Sequence, residues 1–155
     1  MMKPATDALQ ALKGKTLVTA ESCTGGGIGA ALTAVPGASA VFKGGIISYC
    51  NEVKNSALGV PNVLLEQYGA VSAPVAEAMA AGARKTLDAD YAVSVTGLAG
   101  PDGDEFGNPV GTVFIGFADL NDAISREYHF SGDREQIRRQ AVEAALELIC
   151  ACVTK

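Results

Sequence analysis

Leu17-Val18-Thr19-Ala20-Glu21-Ser22-Cys23-Thr24-Gly25-Gly26-Gly27-Ile28-Gly29-Ala30-Ala31-Leu32 is the stretch whose reading decides the fold. Its first four residues form a short apolar, β-branched run that predicts a strand, and residues 28–32 predict a helix, so the segment between them is a strand-to-helix turn. Strand ends in α/β sheets hold their loops over a crevice, and glycines at a helix start let backbone N–H groups approach an anionic atom. Ser22 and Cys23 place a hydroxyl and a thiol beside those donors. A nucleophile next to oxyanion-binding amides is what acyl transfer requires.

A second junction of this kind lies downstream. Tyr91-Ala92-Val93-Ser94-Val95-Thr96 is nearly continuous in apolar character, as a buried strand should be, and runs into Gly97-Leu98-Ala99-Gly100-Pro101-Asp102-Gly103. Two such junctions imply two loops meeting over one crevice. Between them, Gly44-Gly45-Ile46-Ile47-Ser48-Tyr49 predicts a strand, Asn51 is a candidate N-cap, and residues 52–58 predict a two-turn helix stopped by Gly59. A short helix over 63–68 closes at Gly69, and Ser72 caps a longer one over 73–87, with Val75, Met79, Ala83 and Leu87 on one face.

At the ends of the chain, Thr6 is expected to cap a helix running to Lys13, with Leu9 and Leu12 inward and Gly14 ending it. Residues 110–118 and 124–130 predict a hairpin joined by Asp119-Leu120-Asn121-Asp122, after a surface loop that carries Asp102, Asp104 and Glu105. Asp133 and Gln136 stand at capping-box spacing at the start of the last helix, whose inner face is Ile137, Ala141, Ala145, Leu148 and Cys152. Arg134, Arg138 and Arg139 crowd its first two turns, where the helix dipole disfavours cations; an anion such as a phosphate bound there would explain them, as would an exposed basic face.

The chain has 155 residues, 48% of them apolar and 19% charged, enough to bury a real core in one domain spanning 1–155. A net charge of −5 argues against nucleic acid and anionic membranes as partners. The start Met1-Met2-Lys3-Pro4 lacks a signal-peptide core and no run suits a membrane span, so a cytoplasmic location is expected. Cys23, Cys50, Cys150 and Cys152 show no metal-ligand spacing and His129 is the sole histidine, so reduced thiols and no metal are expected. The alanine-rich helices offer an interface between copies of the chain.

Each reactive group has two readings. Ser22 is a helix N-cap or a nucleophile. His129, flanked by aromatics in a hairpin strand, reads as structural, so a Ser-His-Asp triad is not supported. Lysine is an accepted base for serine, and Lys54, in the first turn of its helix where the dipole favours the neutral amine, is either that base or a solvated charge. Tyr49 relays a proton, holds the ammonium, or packs at the core edge. Cys23 is a competing nucleophile, a thiol whose pKa a helix N-terminus would lower. Residues 25–30 match a dinucleotide-type G-x-G-x-x-A, but no acidic partner strand follows, and no lysine completes a phosphate-binding G-K-S/T loop.

Six motifs, in this order, resemble one family: Thr19-Ala20-Glu21-Ser22-Cys23-Thr24-Gly25-Gly26; Gly45 to Tyr49 with Asn51 and Lys54; Gly69-Ala70-Val71-Ser72; Thr96-Gly97-Leu98-Ala99-Gly100-Pro101; Pro109-Val110-Gly111-Thr112-Val113; and Phe130-Ser131-Gly132-Asp133-Arg134. They look like the CinA C-terminal domain, the nicotinamide-nucleotide amidase family also called PncC, over nearly the whole chain. The resemblance implies a three-layer α/β/α sandwich with a mixed, mostly parallel sheet, and hydrolysis of nicotinamide mononucleotide to nicotinate mononucleotide and ammonia in pyridine-nucleotide recycling. It implies Ser22 as nucleophile, Lys54 as its base and Tyr49 as their hydrogen-bonding partner, with no cofactor. Cys23, Thr24, Gly25 and Gly26 would serve the oxyanion, Thr96, Gly97, Ala99 and Gly100 would shape the ring or ribose pocket, and Arg134 or Arg138 would take the phosphate.

Two positions depart from the family pattern: Leu98 replaces the usual isoleucine, and Asp104 stands where a second glycine often follows Gly103. The longer relatives carry an additional N-terminal domain for which this sequence has no room, so only the amidase activity is expected. A non-hydrolytic nucleotide-binding or partner-binding module of the same fold, and an amidase for another amide, are the alternative readings.

Overall fold

The computed structural model describes residues 2–153. Five strands form one sheet in the order β2-β1-β3-β4-β5: β1 is Leu17–Glu21, β2 Phe42–Ile47, β3 Tyr91–Gly97, β4 Thr112–Ala118 and β5 Ala123–His129. β2 and β3 flank β1 in parallel, whereas β4 runs antiparallel to both β3 and β5. Four strands therefore share one direction and β4 opposes them, a mixed sheet as expected. The helices are α1 (Met2–Ala11), α2 (Gly27–Thr33), α3 (Asn51–Leu58), α4 (Asn62–Tyr68), α5 (Ala73–Thr86) and α6 (Arg134–Val153).

Alternation along β1 sorts the two faces. Leu17 joins Leu9, Ile28, Val95, Ile137 and Leu146 in a core under α1, α2 and α6, while Val18 and Ala20 join Leu58, Leu65, Val75 and Met79 under α3, α4 and α5. The result is the three-layer α/β/α sandwich. Because α2 leaves β1 toward one face and α3 leaves β2 toward the other, a crevice opens beyond the carboxyl ends of β1 and β3, where ligands settle in open α/β sheets.

Most element boundaries match the sequence expectations within a residue or two, and three caps differ. Thr6 lies inside α1 rather than at its start. Cys50, not Asn51, holds the N-cap position of α3. Ser72 does stand at the N-cap of α5, but its hydroxyl donates back to Gly69 O at 2.9 Å instead of capping the helix. The capping box of α6 is closed: Gln136 N–H donates to Asp133 Oδ1 at 2.9 Å, and Asp133 N–H to Gln136 Oε1 at 2.8 Å.

Gly82 sets the height of the second layer. A Cβ on this residue of α5 would run into the Leu58 carbonyl, so its absence lets the end of α3 lie directly on α5. That close approach brings α3, and Lys54 with it, down over the end of β1.

Candidate active site

Ser22 is the first residue beyond β1, and its N–H still donates to Val95 O at 3.0 Å, which fixes the serine to the sheet. It is not a helix cap: α2 starts five residues later, behind Gly26. Gly25 and Gly26 carry φ of 60° and 101°, left-handed values that favour glycine, and Gly25 N–H returns to Ser22 O at 3.0 Å to close the turn.

Glu21 holds this turn from beneath, and the sequence reading had given it no role. Alternation sends it to the face opposite Ser22, where it is 1% exposed. One carboxylate oxygen accepts from Thr24 Oγ1 at 2.6 Å and Ile28 N at 2.9 Å, and the other accepts from Gly29 N at 3.0 Å. The two amides belong to the first turn of α2, whose N–H groups have no partner within the helix and where the dipole favours an anion. The signal was present in the sequence: a glutamate ending an otherwise apolar strand just before a helix start must find donors. Glu21→Ala, which strands two buried donors and a half-buried one, is expected to lower unfolding stability by about 3 kcal/mol in urea denaturation.

Lys54 is 2% exposed, and its Nζ lies 2.9 Å from Ser22 Oγ while donating to Ser48 O at 2.8 Å. Desolvation lowers its pKa from 10.5. Burial, rather than the helix dipole, is thus the main cause. Ser48 is itself fixed, buried with its N–H on Glu21 O at 2.7 Å, one step past the end of the β1–β2 ladder. A neutral amine that gives one hydrogen to Ser48 O keeps its lone pair for the Ser22 hydroxyl.

The other candidates divide. A cavity of about 280 Å³ at the crevice is lined by Ser22, Cys23, Tyr49, Lys54, Thr96, Gly97, Ala99, Gly100 and Arg134 among those expected there, and also by Asn51, Ala70, Val71, Leu98 and Asp102, which were not. Thr24, Gly25 and Gly26 do not line it; they build the turn. Tyr49 is 61% exposed and its hydroxyl accepts from Arg134 Nη2 at 2.9 Å, so the expected bond to Ser22 and Lys54 is replaced by Ser48 O on the lysine. The strand alternation that buries Ser48 turns Tyr49 outward.

The three arginines part company. Arg134 also donates to Gly100 O at 2.6 Å and spans the cavity mouth. Arg138 donates to Cys23 O at 3.0 Å and Thr24 O at 3.2 Å, bracing the turn from the α6 side rather than facing the cavity. Arg139 pairs with Glu135 on the exposed side of the helix. His129 pairs with Glu127 on β5, away from the serine.

The thiol beside Ser22 also departs from expectation. Burial pushes Cys23 up to about 11, outweighing its own backbone N–H and the Arg138 and Lys54 charges that pull the other way. It is protonated at neutral pH and a poor nucleophile. Asp104, the departure in the loop tip, organises that tip: Oδ1 accepts from Phe106 N and Asn108 N, both at 3.0 Å, and Oδ2 accepts from Asn108 Nδ2 at 2.9 Å.

No helix among the described residues is long and apolar enough to cross a membrane. Nor does any group of three or more metal-ligating side chains occur among them.

The chain is 52% identical over 131 residues to the nicotinamide-nucleotide amidohydrolase PncC of Pseudomonas putida, covering 84% of this chain and 82% of that protein. It is 50% identical over 143 residues to the protein of the same name from Escherichia coli K12, covering 90% and 87%. A competence-damaged protein (CinA) superfamily crystal structure from Klebsiella pneumoniae superposes with a TM-score of 0.95 at 33% identity, over 98% of this chain and 96% of that one. The model of the CinA C-terminal domain matches residues 2–153, and the chain belongs to that family.

Proposed function

We propose that this protein hydrolyses the carboxamide of nicotinamide mononucleotide, releasing nicotinate mononucleotide and ammonia, with Ser22 as nucleophile and Lys54 as its base. The observation that carries the reading is the buried 2.9 Å contact between Lys54 Nζ and Ser22 Oγ at the floor of an open cavity. The names of the relatives, about half identical over most of their length, supply the substrate.

Neutral Lys54 takes the Ser22 proton as Oγ attacks the carboxamide carbon. The negative charge that forms on oxygen is met by the N–H of Cys23, the turn residue that lines the cavity beside Ser22. The resulting ammonium passes its proton to the departing nitrogen, and ammonia leaves an ester on Ser22. Water, deprotonated by the same amine, then releases the acid and restores the hydroxyl. Pyridine-nucleotide recycling is the pathway such a reaction serves.

Arg134 is the phosphate ligand in this scheme. Its guanidinium has five N–H donors and spends two, on Gly100 O and Tyr49, which hold it at the mouth with the rest available. Arg134→Gln is expected to raise KM for the mononucleotide roughly 10- to 100-fold with a small change in kcat. Nicotinamide riboside, which has no phosphate, should be turned over by variant and wild type with similar KM. Mass-spectrometric detection of the deamidated mononucleotide tests the whole reading: wild type must form it, and absence of product would reject the assignment.

A further inference from the structure

Thr96 lies at the carboxyl end of β3, 1% exposed, with its side chain at the cavity. Glu21 pairs with Val95, and Ser22 N–H donates to Val95 O, so Ser22 and Thr96 are strand neighbours that share one face of the sheet. Adjacent strands lie about 5 Å apart. A carbonyl carbon within reach of Ser22 Oγ therefore has one of its substituents over Thr96.

The hydroxyl there is already half committed. Thr96 Oγ1 donates to Ala70 O at 2.8 Å, a carbonyl in the bend before α5. A threonine hydroxyl has one proton and two lone pairs. Toward the cavity Thr96 can accept a hydrogen bond and cannot give one.

Building on the reading of Ser22 as the nucleophile for a carboxamide, we propose that Thr96 is a specificity-determining residue that accepts a hydrogen bond from the substrate's amide NH₂ and so selects primary carboxamides over esters and acids. With the carbonyl oxygen turned to the Cys23 amide, the amide nitrogen lies on the β3 side, where its hydrogens meet the Thr96 lone pair. Hydrolysis replaces that nitrogen by a carboxylate oxygen. Two acceptors then face one another, and the contact that held the substrate disfavours the product. A site built to bond a donor rejects the analogue lacking it, because its own polar atom is left unpaired.

The test compares kcat/KM for nicotinamide mononucleotide and for the methyl ester of nicotinate mononucleotide in wild type, Thr96→Val and Thr96→Ser, each checked for folding by its melting temperature. Thr96→Val should lower amide turnover roughly 10- to 100-fold and ester turnover far less, raising the ester-to-amide ratio at least about tenfold. It should also make nicotinate mononucleotide a stronger inhibitor, and Thr96→Ser should bring both quantities back toward wild type. Equal losses on amide and ester in Thr96→Val, or a folded Thr96→Ser that fails to restore the ratio, would overturn the role of Thr96 alone. A wild type inert toward the mononucleotide would overturn the reading of the site and this inference with it.

Discussion

Ser22→Ala is expected to lower ammonia release from nicotinamide mononucleotide by roughly four orders of magnitude or more, the loss seen when a nucleophile is deleted from a unit that works only as a whole. Alanine removes the hydroxyl oxygen in contact with Lys54 Nζ, and with it the bond-forming atom. The adjacent thiol does not take over, because burial holds Cys23 near 11 and keeps it protonated. Cys23→Ala keeps the backbone N–H that faces the oxyanion and should retain most activity. The reverse pattern, with Ser22→Ala active and Cys23→Ala inert, would move the chemistry to sulfur. Ammonia release by the two variants and wild type, measured side by side, decides between them.

Lys54→Met should cost roughly a thousandfold in kcat, as expected for removal of a positioned base. It should not unfold the protein. Methionine fills the same buried channel without an amine that has to be desolvated, so the melting temperature is expected to stay level or rise. The sign of the pH effect follows from the lowered pKa of the lysine. Between that lowered value and 10.5 the unfolded chain binds a proton that the folded chain does not, so wild-type stability rises with pH across this window. Below the window, charging the buried amine counts against the fold. Lys54→Met removes this slope. Wild-type kcat/KM should rise with pH to an inflection below 10.5, as the free amine forms. A flat profile, or a Lys54→Met variant of near-normal rate, would remove lysine from the base role.

The fold and the pairing of Ser22 with Lys54 were legible in the sequence because both rest on local pattern: a β-branched run, a glycine turn, and a lysine in the short helix after the next strand. The strands at 17–20 and 91–96 and the capping box at Asp133 and Gln136 needed no long-range knowledge, and each was found within a residue or two. What it hid depends on which way a side chain turns after a strand ends. Tyr49 and Ser48 are neighbours in sequence, yet the carbonyl of one orients the lysine while the phenol of the other leaves for Arg134. Arg138 looked equivalent to Arg134, but one helical turn carries it from the cavity mouth to the back of the serine turn. Cys23 was misjudged because a helix N-terminus argues for a low thiol pKa, whereas burial, invisible in the residue order, dominates. Glu21 went unnoticed since two of its three partners are backbone amides, which any sequence supplies.

The most direct measurement is an acid-quenched single turnover of wild type with nicotinamide mononucleotide, followed by digestion and fragment-ion sequencing of the peptide that carries residues 17–32. A nicotinoyl-nucleotide ester on Ser22, absent when Lys54→Met is treated in the same way, is the predicted result. An adduct on Cys23, or a full equivalent of ammonia released from wild type while Ser22→Ala releases it equally fast, would contradict the account.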